Sequence, residues 1–248
     1  MSVRAVAWCG TLLFVAALGV WAYQYAVTFS RATSSTSNAV AVMWNGGLFT
    51  VFALHHSIFA RTPVRSWIAR LAPDLERSIY VWIASVLFLA VCLLWQPVEG
   101  MAWEVPGAAR WILWSLQAAG VALTLRGAAV LDVRALAGLT PRGPDKVRAT
   151  EPGATPVART LSGPRTESSP FKTAGPYGWV RHPIYSGWFL MVLAATPMTM
   201  TRLVFALVSC AYLVVAIPFE EGTLRRTSAG AYDAYMTRVR WKLIPGIF

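Results

Sequence analysis

Four long apolar runs fill the first half of the chain, separated by charged or turn-forming residues. They cover residues 5–27, 39–60, 78–97 and 109–131. A helix of about 20 apolar residues crosses the roughly 30 Å hydrocarbon core of a bilayer, because each residue rises about 1.5 Å. The first run follows Arg4, as a secretory signal would, but it is long and no Ala-x-Ala cleavage pattern follows it closely. The pattern therefore predicts four membrane-spanning helices.

A fifth apolar stretch, residues 184–219, is too long for one span and short for two full ones. Pro197 marks its middle as a turn, together with the polar residues Thr199, Thr201 and Arg202, because proline lacks a backbone donor and disfavours helix just before it. We expect a tight hairpin of two shorter helices. The fold class is then all-α, a polytopic membrane bundle of about six spans.

The positive charges predict the orientation of this bundle. Six spans place both termini on one side, and eighteen of the 22 Lys and Arg residues fall on that side. Because cytoplasmic connections carry an excess of Lys and Arg, both termini are predicted to be cytoplasmic. Six tryptophans near the predicted span ends suggest an interfacial aromatic belt: Trp21, Trp44, Trp95, Trp103, Trp111 and Trp188.

The composition narrows the possible functions. The chain has 248 residues, 56% of them hydrophobic, and a net charge of +11. The positive charges lie between apolar runs, where they set membrane orientation, so no nucleic-acid partner is expected. Cys9, Cys92 and Cys210 lie in apolar stretches without metal-ligand spacing and are predicted to be reduced. Three histidines are too few for a histidine-rich membrane metalloenzyme, and no metal site is predicted.

A polar segment divides the chain. Residues 139–170 are rich in Pro, Gly, Ser, Thr and charge, and they cannot bury enough apolar area to offset the entropy of ordering them. We expect a mobile cytoplasmic loop, either an inert insertion or a lid over a site. The predicted parts are thus a four-span bundle, residues 1–138, this loop, and a hairpin with its flanks, residues 171–248.

Two adjacent histidines, His55 and His56, lie inside the second predicted span. One reading is structural: one imidazole forms a hydrogen bond between helices and the other lies near the interface, since buried polar groups are usually paired. The other reading places them in the wall of a substrate cavity, with His56 as a proton acceptor, because imidazole titrates near neutral pH. The sequence leaves both readings open.

The two flanks of the hairpin, "YGWVRHPIYSGWF" and "IPFEEGTLRR", are expected to emerge close together on the cytoplasmic side. Tyr177, His182 and Tyr185 offer aromatic faces with polar tips, and Pro183 supplies a rigid corner. The adjacent Glu220 and Glu221 can accept hydrogen bonds from ribose hydroxyls or an ammonium group. These residues describe a pocket for a polar, partly cationic, aromatic cofactor.

Residues 171–248 resemble the isoprenylcysteine carboxyl methyltransferase superfamily, which includes phospholipid methyltransferases. The resemblance rests on Gly-x-Tyr, Arg-His-Pro-x-Tyr-x-Gly, the hairpin, Glu-Glu, "GAYDAY" and the "LIPGIF" tail. The N-terminal half is similar to the branch that holds bacterial methanethiol S-methyltransferases and NnrU-like proteins, through "HHSIFAR", "ERSIYVW" and "LLWQP". An integral protein of a bacterial cytoplasmic membrane is therefore expected.

The resemblance implies S-adenosylmethionine as cofactor. Carried over by position, it implies cofactor contacts in the run that ends at Lys172, and at Tyr177, His182, Pro183, Ile184, Tyr185 and one of Glu220 or Glu221. Members that methylate a prenylcysteine carboxylate carry an Arg about one helical turn before the matching Glu. This chain reads "VVAIPFEE" there, without Arg. The difference favours a small or lipophilic thiol as methyl acceptor.

The resulting hypothesis is S-methylation at the inner leaflet, with the cofactor reached from the cytoplasm and an apolar acceptor from the bilayer. His56 and Arg181 are the candidate catalytic residues, since a nearby positive charge favours a thiolate. Alternatively, Arg181 contacts headgroups or carbonyls at a helix end. The rival functions are methylation of a prenylcysteine carboxylate or a phospholipid amine, an NADPH-dependent membrane reductase, and a non-enzymatic accessory protein. The oligomeric state stays open.

Overall fold

The computed structural model describes residues 3–32, 37–59, 75–131 and 173–248. These residues form seven α-helices and one two-stranded antiparallel sheet. The predicted loop 139–170, Lys172 and the boundary after residue 138 lie outside the described residues. The elements are α1 (Val3–Tyr23, continued by a π-helical turn, Gln24–Thr28), α2 (Asn38–Phe59), α3 (Glu76–Leu93), β1 (Met101–Trp103), α4 (Arg110–Val130), α5 (Pro183–Leu193), β2 (Met198–Thr199), α6 (Met200–Thr227) and α7 (Ala231–Arg238).

The long helices lie where the apolar runs predicted them. Four helical segments are long and apolar enough to cross a membrane, namely 5–28, 76–93, 107–130 and 200–227. The second predicted run forms α2, which has 22 residues. The all-α membrane bundle expected from the sequence is thereby confirmed. All three cysteines are free, as predicted.

The hairpin differs from the expected pair of short helices. Its first helix, α5, has 11 residues, whereas α6 has 28 and continues through Pro218 to Thr227. The turn between them is held by the pairing of β1 with β2 and by Thr199, whose hydroxyl accepts from the backbone N–H of Arg202 at 3.2 Å. The adjacent Glu220 and Glu221 therefore lie on the last turns of α6 and not in a flank after it.

Small residues bring α5 into close contact with α4. A Cβ atom added at Gly187 would lie 2.3 Å from the hydroxyl of Thr124 and 2.6 Å from the carbonyl oxygen of Gly120. The side-chain amide of Gln117, also on α4, donates to the carbonyl of Met191 at 2.9 Å. Close backbone approach through small residues is the usual way in which membrane helices pack. This contact fixes the position of α5, and α5 carries part of the candidate site.

The aromatic core lies at the end of the bundle nearest the hairpin turn. Trp21, Trp95 and Phe205 are buried there, and Trp188 packs against them. The predicted interfacial belt is therefore wrong for Trp21 and Trp95, because these rings fill the space where the helices converge. Trp44, Trp103 and Trp111 remain exposed.

The sequence predicts Arg202 in an outer connection, but its side chain is buried and donates hydrogen bonds to the backbone that continues α1. It donates to the carbonyls of Tyr25 at 2.9 Å, Ala26 at 3.0 Å and Pro197 at 2.6 Å. Two of these carbonyls lie in the π-helical turn, whose wider winding leaves acceptors that need partners. Arg202 thus joins α1 to the hairpin turn.

Candidate active site

The Arg-His-Pro corner precedes α5 and is joined to the C-terminal tail. The backbone N–H groups of Arg181 and His182 donate to the carbonyls of Trp241 and Lys242, both at 2.9 Å. The hydroxyl of Ser186 donates to the carbonyl of Leu243 at 2.6 Å. The tail therefore packs along the start of α5, and Pro183 begins that helix where no donor is needed.

Arg181 forms a buried ion pair with Glu221. Its Nε donates to Oε1 of Glu221 at 2.7 Å, and the two side chains are 5% and 9% exposed. Its Nη1 donates to the carbonyls of Val239 at 3.0 Å and Arg240 at 2.6 Å. The guanidinium thus connects α6 to the tail. Its charge is balanced by Glu221 and it contacts backbone carbonyls, as the alternative reading of the sequence expected; a role toward the acceptor stays a prediction.

The two adjacent glutamates face different surroundings. The Oε1 atom of Glu221 also lies 3.1 Å from Nε2 of His182, within hydrogen-bonding distance. Glu220 has a side chain that is 47% exposed, and its Oε2 accepts from the hydroxyl of Tyr185 at 2.9 Å. The rings of His182 and Tyr185 stack with centroids 5.4 Å apart. Glu221 therefore maintains the corner, while Glu220 is the carboxylate that a ligand can reach.

Tyr177 lies beside this carboxylate. Burial and the negative charge of Glu220 raise the pKa of Tyr177 to about 12, so its hydroxyl stays protonated at neutral pH and can donate. The Tyr177 carbonyl accepts from the hydroxyl of Tyr235 on α7 at 2.7 Å. Tyr232 and Val239 complete the apolar cluster under that contact. The helix α7 thus holds Tyr177 at the corner.

These donors and acceptors suit an organic cation with hydroxyl groups better than a metal ion. A half-exposed carboxylate and phenol hydroxyls can pair with ammonium or ribose groups, and aromatic faces attract a cation. Within the described ranges, no group of three or more His, Cys, Asp or Glu side chains is placed to hold a metal. The positive charge nearby, Arg181, is already balanced by Glu221.

A cavity of about 560 Å³ lies against this corner. Its wall includes Ile184 and Tyr185 from α5, and residues of α1, α2, α3 and α6. These two residues directly follow the Arg-His-Pro corner, and Tyr185 contacts His182 and Glu220, so the cavity adjoins the corner. Two of the positions expected to contact a cofactor, His182 and Pro183, are buried. A third, Lys172, lies outside the described residues.

His56 lines the cavity and also contacts a neighbouring helix, so the structure is compatible with both readings of the sequence; its role toward a substrate stays a prediction. Its Nδ1 is 2.7 Å from the hydroxyl of Tyr80 on α3, and the Arg77 guanidinium lies 5.5 Å from the centre of the Tyr80 ring. His55 is buried and stacks on the Tyr80 ring, with centroids 5.7 Å apart. The catalytic candidates His56 and Arg181 thus do not meet, because only His56 faces the cavity.

The sequence reasoning missed Arg77 and Tyr80 as cavity residues. Both lie on α3 with Ala84 and Phe88, at separations of three and four residues, which place side chains on one face of a helix. Polar residues are common near the start of a span, so only the shared helix face distinguishes these two.

Comparisons with known proteins give one family match and several long relatives. Residues 162–226 match the Isoprenylcysteine carboxyl methyltransferase (ICMT) family model. Methanethiol S-methyltransferase 2 of Bradyrhizobium diazoefficiens is 32% identical over 240 residues, 96% of this chain and 86% of the relative. The methanethiol S-methyltransferase of Mycobacterium tuberculosis is 33% identical over 202 residues, 80% of this chain and 76% of the relative.

A shorter similarity joins the chain to Nurim of Sus scrofa, 32% identical over 85 residues, which is 34% of this chain and 32% of Nurim. The search of solved structures gave no significant match. The long matches cover most of this chain and most of each relative. The chain therefore belongs to the isoprenylcysteine carboxyl methyltransferase superfamily of membrane proteins, in the branch that holds the methanethiol S-methyltransferases.

Proposed function

We propose that this membrane methyltransferase uses S-adenosylmethionine to methylate the sulfur of a thiol. The observation that carries the proposal is the position of Tyr185, which contacts Glu220 and His182 at the corner and, with Ile184, lines the cavity. A donor held at the corner and an acceptor in the cavity would then meet at these two residues. The names of the long matches support methyl transfer to a thiol.

The proposed cofactor contacts lie on the exposed side of the corner. Glu220 and the hydroxyls of Tyr185 and Tyr177 would take the polar groups of the cofactor. His182 supports the ring of Tyr185 by stacking, and Pro183 fixes the start of α5. Lys172, implied by the family resemblance, remains part of the proposal. S-Adenosylmethionine supplies an electrophilic methyl group, which the acceptor sulfur takes as the bond from methyl carbon to sulfonium breaks.

His56 is proposed to take the acceptor's proton. A thiol reacts as the thiolate, and imidazole is a suitable base near neutral pH. The hydroxyl of Tyr80, 2.7 Å from Nδ1, would fix the orientation of the ring and leave its other nitrogen for the thiol. The positive charge of Arg77, also in the cavity wall, favours the thiolate. In this account, Arg77 takes the electrostatic role that the sequence assigned to Arg181.

We also propose that both termini face the cytoplasm of a bacterial inner membrane. The support is the strong bias of Lys and Arg toward the connections on that side. The corner and Glu220 would then lie at the inner leaflet, where S-adenosylmethionine is available. A C-terminal reporter that works only in the cytoplasm is expected to be active, and activity of a reporter that works only in the periplasm would reverse the orientation.

The direct test supplies the purified protein with methanethiol and S-adenosylmethionine that carries a labelled methyl group. We expect labelled dimethyl sulfide by mass spectrometry. His56→Asn should lower the rate by roughly 10²–10⁴-fold if His56 is the base. Thr50→Ser, on the exposed side of the same helix, is the matched control and should leave the rate unchanged.

Absence of labelled sulfide with any thiol would refute S-methylation, and label in a phospholipid amine or a prenylcysteine ester would identify the rival acceptors. A rise in melting temperature with NADPH but not with S-adenosylmethionine would indicate the reductase. Cofactor binding without any transfer would indicate the accessory protein. An unchanged rate in His56→Asn would show that His56 is not the base and would leave the rest of the proposal standing.

A further inference from the structure

The cavity is much larger than methanethiol requires. An apolar cavity of about 150 Å³ is sufficient to hold benzene, which has six carbon atoms. The cavity here measures about 560 Å³, whereas methanethiol has only one carbon and one sulfur. Such a small acceptor would touch the wall on few sides and would gain little of the contact energy that positions a substrate.

The polar groups of the cavity are concentrated at one end. Arg77 and Tyr80 lie in the first turns of α3, and the Tyr80 hydroxyl contacts His56. From Arg77 to Phe88 the cavity follows α3 for about 16 Å at 1.5 Å per residue. Most of the remaining wall is apolar, and its members include Phe14, Leu18, Phe49, Phe52, Val81 and Ala84. Its other polar groups include the hydroxyls of Ser85, Ser209 and Tyr212.

The apolar part is unsuited to the cofactor itself. The amino-acid and nucleoside groups of S-adenosylmethionine carry charges and hydroxyls, whose transfer into an apolar site without partners is costly. Of the two serines in this part, Ser209 already accepts from Trp188 at 3.0 Å and donates to the carbonyl of Ala206 at 3.1 Å. These walls favour a hydrocarbon chain as the occupant. Each methylene group buried there should increase the affinity about two- to fourfold.

We propose, building on the S-methyltransferase function above, that the acceptor class includes long-chain alkyl thiols. The sulfur lies at His56 and the chain extends along α3 toward Phe88. The thiol would lose its proton to His56, and its sulfur would form the new bond to the methyl carbon as the bond from that carbon to the sulfonium sulfur breaks. The donor would leave as the neutral thioether S-adenosylhomocysteine, and the product would be an alkyl methyl sulfide. Ala84, half-exposed to the cavity midway along the chain, then determines how long a chain can be accepted.

Binding is tested first, without any reaction. Octyl methyl sulfide and dimethyl sulfide are added separately to the protein in lipid nanodiscs, and the melting temperature is measured. We expect a rise of roughly 5–10 °C with saturating octyl methyl sulfide and little change with dimethyl sulfide. Ala84→Phe should abolish the rise, whereas Val86→Phe, which adds a ring on the exposed face of the same helix, should retain it. An equal rise in all three proteins would refute a chain site in the cavity.

The second measurement is methyl transfer to methanethiol and octanethiol in one mixture. The wild type should methylate both thiols, and Ala84→Phe should lower the ratio of octyl to methyl product at least tenfold, while Val86→Phe leaves it unchanged. Transfer to methanethiol but not to octanethiol would overturn this inference and leave the proposed function standing. Absence of transfer despite binding of octyl methyl sulfide would overturn the proposed function. If Ala84→Phe does not fold, octyl methyl sulfide must still inhibit methanethiol methylation by the wild type far more strongly than dimethyl sulfide does.

Discussion

Replacing Glu221 by glutamine removes the negative charge that faces the buried guanidinium of Arg181. The Nε of Arg181 lies 2.7 Å from the Glu221 carboxylate, with only 5% and 9% of the two side chains exposed. Water therefore cannot solvate the cation once the carboxylate is lost. Removing one partner of a buried ion pair costs about 3–5 kcal/mol. For a protein of this size, each kcal/mol lowers the unfolding temperature by roughly 2–4 °C, so Glu221→Gln should lower it by about 6–20 °C.

Glu220→Gln is the matched control, with the same chemical change at the neighbouring position. The Glu220 side chain is 47% exposed and its contact is with Tyr185, so its loss should change the stability by less than about 1 kcal/mol. Arg181→Met should destabilise about as much as Glu221→Gln, and the double variant should cost less than the sum, because both changes remove one interaction.

The assay is thermal unfolding of all four variants and the wild type in one detergent, followed by tryptophan fluorescence. We expect a large decrease in the unfolding temperature for Glu221→Gln and almost none for Glu220→Gln. Equal falls for the two glutamine variants would show that the glutamates are not divided between a buried and an exposed role. Strict additivity of the Arg181 and Glu221 changes would contradict their direct pairing.

Three further predictions concern other parts of the structure. Gly187→Ala should destabilise by about 1–3 kcal/mol, because the new methyl group would lie 2.3 Å from a threonine hydroxyl of α4, whereas Gly47→Ala, with no neighbour within 4 Å, should be neutral or stabilising in thermal unfolding. Arg202→Met should lower the free energy of unfolding by about 3 kcal/mol, because three backbone carbonyls lose their donor. The same change at the exposed Arg225 should lower it by less than about 1 kcal/mol. Equal effects of the two variants would contradict the buried role of Arg202. Tyr80→Phe should slow methyl transfer at high pH more than at low pH, because Nδ1–H of His56 loses its acceptor and His56 becomes a weaker base; S-adenosylmethionine affinity in calorimetry should not change, and an unchanged pH–rate profile would separate Tyr80 from His56.

The positions of the long helices could be predicted because run length and hydropathy are local properties of the sequence. The end of α6 could not. Pro218 followed by two glutamates has the local features of a helix end, yet the helix continues to Thr227. The contact that accompanies this continuation joins Glu221 to Arg181, forty residues apart in sequence, and no local pattern contains it.

The motifs predicted which residues of the corner lie together. The structure brings His182, Tyr185 and Glu220 into contact, as the shared flanks of the hairpin suggested. The division between Glu220 and Glu221 was not predictable, since adjacent helical positions differ by about 100° and only tertiary packing decides which faces inward. Arg181 was assigned to the acceptor for the same reason: its buried partner was invisible in the sequence.

Fewer of the residues that line the cavity could be predicted from the sequence. His56 was identified because a histidine is costly within an apolar span. Arg77 and Tyr80 lie near the start of a span, where polar residues are common, and so they gave no comparable signal. Trp21 and Trp95 lie at similar depths but are buried in the core, which shows that position along a span does not determine whether a side chain faces lipid or protein.

The central claim is that the corner around Glu220 binds S-adenosylmethionine. Isothermal titration of S-adenosylmethionine into the purified protein tests it most directly, with Glu220→Gln as the site variant and Glu104→Gln, an exposed acid beside β1, as the control. We expect one site per chain, weakened roughly ten- to hundredfold by Glu220→Gln, since a hydrogen bond to a charged group contributes about 1.5–3 kcal/mol, and unchanged in Glu104→Gln. No binding to the wild type, or equal affinity in all three proteins, would contradict the account.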